Sequence, residues 1–146
     1  MIRLERRAIV SAACALALLG GLAPAGSAQS PPPAVKWTAP PESKDVANPV
    51  KTDGRTVERG KKLFQTYCVA CHGNAGSGDG AMGLKLGYKA ANLTLENINQ
   101  QTDGEIFWKI SKGKAPMPSW EPQLLARDRW DLVSYVRTLI RSAPNP

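Results

Sequence analysis

Apolar positions recur at helical spacing in three stretches of the chain and alternate convincingly in none. From about Thr56 to Cys68, the residues Leu63, Phe64 and Tyr67 fall on one side, and Thr56 is placed to cap the start. Gly60 within this stretch costs about 1 kcal/mol relative to Ala, a cost that makes sense where another helix crosses closely. A second helix is expected at Thr102. Thr102-Asp103-Gly104-Glu105 fits a capping box, Ile106 and Ile110 share a face, and Gly113 is a natural stop. The last helix is expected from about Ala126 to Arg141. There Trp130, Val133, Val136 and Ile140 repeat at helical spacing, while Arg127, Asp131 and Arg137 can face water. The expected class is all-α.

The remaining segments carry other signals. Arg3, Arg6 and Arg7 precede an apolar run from Ala8 to Ala23, and small residues follow at Ala25-Gly26-Ser27-Ala28. That order reads as a secretory signal peptide over residues 1–28, cleaved near Ala28. The run falls short of the roughly 20 apolar residues of a membrane span, so no span is expected after cleavage and the protein is expected to be periplasmic or otherwise exported. Residues 29–53 hold Pro31, Pro32, Pro33, Pro40, Pro41 and Pro49 and read as an extended N-terminal segment, since proline lacks the helix donor; Trp37 and Val50 allow it a place across the domain surface. Residues 54–142 form the expected folded domain. After His72 the chain is glycine-rich, which is loop composition. It lacks the Gly-Lys-Ser/Thr ending and preceding strand of a phosphate-cradling loop.

Charge and cysteine count narrow the chemistry. Cleavage after Ala28 removes three Arg and one Glu, taking the formal charge from +7 to +5, and removes Cys14. Two cysteines and one histidine remain, in a single run: Cys68-Val69-Ala70-Cys71-His72. Two thiols at this spacing can reach adjacent vinyl groups of one porphyrin and form thioethers, and the following imidazole can bind its iron. The rival readings are weaker. A thioredoxin-like pair needs a strand before it, and structural zinc needs about four ligands where only Cys68, Cys71 and His72 are available. A disulfide so short would leave His72 unexplained.

As the only histidine, His72 excludes a second histidine ligand from the same chain. The sixth position falls to Met, Lys, a weaker donor, water or nothing. Met82 lies in the glycine loop, where core filler is the simpler reading. Met117 lies in Ala115-Pro116-Met117-Pro118, where flanking prolines stiffen the loop and help to aim one thioether. A soft thioether favours ferrous iron and raises the potential.

These residues resemble the class I, or mono-haem, c-type cytochromes over approximately residues 54 to 142. The resemblance rests on CVACHG at 68–73, Gly-Asp-Gly at 78–80, MPSW at 117–120 and WDLVSYVRTL at 130–139. It implies a small cytochrome c fold, three to five helices wrapped round one covalently bound haem c, with the first and last helices crossing. Cys68 and Cys71 are then the attachment residues and His72 and Met117 the axial ligands. Gly60 and Phe64 match the family's crossing against a last helix that offers Trp130 and Tyr135. Residues 29–53 lie outside the shared core.

The expected function is one-electron transfer between redox partners, or within a dehydrogenase or oxidase system, with no substrate chemistry at the iron. Trp108, Trp120 and Leu86 are candidates to line the pocket. Lys85, Lys89, Lys109, Lys112 and Lys114 can form a positive rim that steers an acidic docking face. Nucleic acid is a poor explanation for these charges in an exported protein. Two alternatives stand beside this reading: a haem enzyme or gas sensor with an open coordination position, and a haem-free thiol protein.

Overall fold

The computed structural model describes residues 37–142. Among these, three long helices carry the structure: α1 (Gly54–Tyr67), α5 (Asp103–Lys112) and α6 (Ala126–Ser142). Three helices of one turn or little more lie between the first two: α2 (Val69–His72), α3 (Ala81–Lys85) and α4 (Glu96–Asn99). No strand forms among the described residues, and Lys114 and Met117 make one isolated antiparallel bridge. The class is all-α as expected, with the single-turn elements taking the helix count above five.

The largest interface joins α1 to α6. Gly60 explains it: a Cβ there would stand 2.0 Å from the Asp131 carbonyl oxygen, so only glycine lets the two backbones meet. Phe64, one turn on, is 1% exposed and lies 5.2 Å from the Tyr135 ring. Ile106, Ile110, Trp130, Leu132 and Val133 complete the centre of the core. Phe107 stacks on Trp130 at 3.9 Å, which ties α5 to α6.

Several side chains depart from the helix-periodicity reading. Asp53, not Thr56, caps α1: its carboxylate accepts from the Thr56 amide at 2.9 Å, while the Thr56 hydroxyl donates to Lys51 O. Asp131 does not face water but is 0% exposed, because the close crossing at Gly60 lays α1 over it. Arg59 meets it there with two nitrogens, at 2.8 and 3.3 Å. Arg137 is turned inward as well, donating to Asp103 at 2.8 Å and to Gln101 O, and so pins α6 to the start of α5. The capping box of α5 is present in both directions.

Residues 37–53 lie on this core. A 3-10 turn over Pro41–Asp45 packs on α5, and Asn48 and Thr52 hydrogen-bond Ser134 of α6. The expected signal peptide and residues 29–36 lie outside the described residues. No helix among the described residues is long and apolar enough to cross a membrane.

Candidate haem-binding cleft

Helix α1 ends at Tyr67, and the chain turns at Cys68 straight into α2, whose single turn holds Cys71 and His72. Cys68, Cys71 and His72 therefore sit on one short, stiff corner. Its amides are satisfied locally, with Cys71 N and His72 N both donating to Cys68 O. Gly73 leaves the corner at φ +78 and turns the chain into the glycine loop.

Across from this corner stands the segment between α5 and α6. Lys114 and Met117 exchange two backbone hydrogen bonds, at 3.0 and 2.8 Å, which close a tight turn around Ala115 and Pro116. Behind it, Trp120 N donates to Ile110 O and Glu121 N to Ser111 O, so the returning chain caps the carbonyls that α5 leaves unpaired. The result is a fixed loop with Met117 half-buried against the core.

The two sides enclose a cleft of about 720 Å³, counting its open mouth. Cys68, Cys71, His72 and Met117 all line it. Tyr67 and Trp120 contribute a tilted ring pair at 5.2 Å. Of the other pocket candidates, Trp120 is in the lining, while Trp108 packs against Trp37 and Leu86 is 62% exposed outside it. Met82 is also outside the lining, half exposed on α3. Lys89 and Lys114 stand at the cleft, whereas Lys112 is paired with Glu121 and Lys109 with Gln101.

His72 Nδ1 lies 3.0 Å from the Ala91 carbonyl oxygen. A carbonyl only accepts, so Nδ1 carries the proton and Nε2 keeps the lone pair a metal needs. Burial lowers the His72 pKa, against a smaller opposing effect of that hydrogen bond, and keeps the ring neutral. Burial likewise pushes the Cys68 thiol up to about 12, helped by neighbouring Cys71. Cys71 Sγ lies 3.4 Å from the Tyr88 hydroxyl. Ala91 and Tyr88 had not been singled out in the sequence, and Trp37 had been considered only for a place across the domain surface, not at the cleft. A carbonyl partner leaves no residue-type signal, and Trp37 lies 31 positions before Cys68.

Haem fits this donor set. Two thiols outside any disulfide, an imidazole with one nitrogen already committed, and a thioether meet in a mostly apolar, open-mouthed cleft. Among the described residues no group of three or more His, Cys, Asp or Glu is arranged for a bare metal ion.

The comparisons with known proteins agree. The family model described as cytochrome c oxidase, cbb3-type, subunit III matches residues 55–136. The cbb3-type cytochrome c oxidase subunit FixP of Bradyrhizobium diazoefficiens is 34% identical over 88 residues, which are 59% of this chain and 28% of that one. The chain thus spans less than a third of that relative's length. Cytochrome c6 of Thermosynechococcus vestitus is 29% identical over 133 residues and 91% of both chains. Among solved structures, the reducing HAO-like protein complex of Kuenenia stuttgartiensis matches with a TM-score of 0.52 and 26% identity, over 65% of this chain and 49% of that one. With its all-α fold, its thiol–imidazole corner and a family match over more than half of its length, the chain belongs to the class I c-type cytochromes, in the family of cbb3-type cytochrome c oxidase subunit III.

Proposed function

We propose that this chain is an exported carrier of single electrons between redox partner proteins, holding one haem c through thioethers from Cys68 and Cys71, with His72 and Met117 as axial ligands. The observation that supports it best is the meeting of these four side chains in one cleft, from elements 45 residues apart in sequence at His72 and Met117. A bound haem supplies the one-electron ferric–ferrous couple.

The chain's own residues do the rest. Cys68 and Cys71 anchor the group at a corner that cannot swing, because α1 and α2 flank it. The Ala91 carbonyl orients His72 and raises the basicity of Nε2. Met117 offers a soft donor from a loop tied at both ends. Tyr67 and Trp120 add a tilted pair of rings to the apolar lining of the cleft. His72 and Met117 would together hold the iron of a bound haem from this chain alone, an arrangement that favours electron transfer over substrate chemistry. Lys89 and Lys114 at the cleft offer positive charge to an acidic docking face. The signal-like residues 1–28 support a periplasmic location.

The test is the optical spectrum of the mature protein, ferric and ferrous, before and after extraction with acidified organic solvent. Haem that resists extraction, a low-spin spectrum and the weak ferric band of methionine ligation are expected. Extractable haem would overturn the thioethers. A high-spin spectrum would overturn Met117 and turn attention to a gas-binding role.

A further inference from the structure

The cleft has one wall that the family match does not include. The matched residues begin at 55, yet Trp37 lines the cleft together with Cys68, Cys71, His72 and Met117. Its indole lies 6.4 Å from the Trp108 ring of α5, tilted by 58°, and Lys109 Nζ sits 5.6 Å from its centre. Lys109 is itself held by Gln101, so the ammonium is a fixed partner for the ring face.

The backbone that brings Trp37 in is anchored elsewhere. Ala39 and Ser43 are each 4% exposed. The Ser43 carbonyl oxygen presses so closely on α5 that a Cβ at Gly104 would stand 2.0 Å from it. Farther on, Thr52 Oγ1 lies 3.2 Å from Ser134 Oγ. Residues 37–52 thus form a strap from α6 past α5 to the cleft, and its buried anchors all lie after Trp37. The indole is delivered to the cleft by a strap docked through other residues.

We infer that Trp37 is a positioning residue for the haem: it forms a wall, supplied by the N-terminal strap, that keeps water and small exogenous ligands from the group and holds its potential up. The inference rests on the haem reading above. Ferric haem carries one more positive charge than ferrous haem, and an apolar wall in place of water disfavours the more charged state, so burial is one of the levers that set the potential. Opening the wall admits water, which lowers the potential and eases the approach of an outside ligand.

The experiment compares purified wild type with Trp37→Ala, Trp37→Phe and Gly104→Ala by redox titration and by titration of the ferric proteins with imidazole. Trp37→Ala is expected to lower the potential and to raise imidazole affinity several-fold, with the methionine band intact before imidazole is added. Trp37→Phe keeps most of the wall and stays near wild type. Gly104→Ala displaces the strap, and Trp37 with it, without substituting any residue that lines the cleft, and is expected to follow Trp37→Ala. Wild-type potential and imidazole affinity in Trp37→Ala would overturn the inference; if that variant does not accumulate holoprotein, Gly104→Ala decides by the same criteria. Wild type lacking covalent haem would instead overturn the haem reading itself.

Discussion

His72 and Asp131 show how single side chains are set by backbone they do not belong to. For His72 the Ala91 carbonyl chooses the tautomer. For Asp131 the glycine on α1 brings Arg59 over a carboxylate that would otherwise point to water. Asp131→Ala leaves Arg59 without its partner, but the guanidinium is 41% exposed and can rehydrate. A loss of about 1–3 kcal/mol is expected in denaturant unfolding, below the cost of a fully buried broken pair. Met117→Ala is expected to keep thioether-bound haem, lose the weak ferric band and bind carbon monoxide readily when reduced; Met82→Ala is expected to leave the spectrum unchanged. The thiol–imidazole run at Cys68, Cys71 and His72 was legible in the sequence because thiols and histidine are rare and their register is strict, and the fold gathers all three at one cleft. Asp131 was misread, since helical periodicity places it on the polar face and says nothing of a neighbouring helix with a glycine at the crossing.

Among the elements, the long helices were legible and the single turns were not. The α5 capping box follows from four consecutive residues, all of which the sequence displays. Helices α2, α3 and α4 have four or five residues each, too few for an apolar repeat to show. The start of α1 was shifted because Asp53 and Thr56 are both good caps and only the fold assigns their roles. The Thr56 amide, hydrogen-bonded to the Asp53 carboxylate, holds the Asp53 pKa below its ordinary value. A lowered acid stabilises the fold above its unfolded pKa of about 3.9, and the contribution is lost as pH falls through the lower folded value. Asp53→Asn keeps an acceptor that does not titrate. Its melting temperature is expected to lie close to wild type at neutral pH and to fall less steeply in acid. At the α1–α6 crossing, Gly60→Ala puts a methyl against backbone rather than a movable side chain. At least about 1–3 kcal/mol of destabilisation is expected, read as an earlier denaturant midpoint.

For the whole molecule, charge and boundaries carry the predictions. If the signal-like segment is removed at the expected site, the mature chain begins at Gln29 and its intact mass is expected to equal residues 29–146 plus one haem. The +5 charge of that chain and the lysines at the cleft imply that electron exchange with an acidic partner slows as salt is added. Lys89→Glu with Lys114→Glu should lower the second-order rate and flatten its salt dependence in stopped-flow measurements. The Pro-rich segment shows where composition stops being informative. Over the described residues 37–53 only a short 3-10 turn forms, but a tail and a strap have the same residues. What separates them are contacts such as Asn48 and Thr52 to Ser134, 86 and 82 positions away.

The turn bearing Met117 is closed twice, once by the Lys114–Met117 pair and again where Trp120 and Glu121 return to the end of α5. Such a loop is a cassette. Residues inside it can be exchanged, or their number altered, while the clasp behind them keeps α5 and α6 in register. Evolution can therefore retune the side chain offered to the cleft at position 117 without renegotiating the scaffold, and an engineer can transplant the loop as a unit.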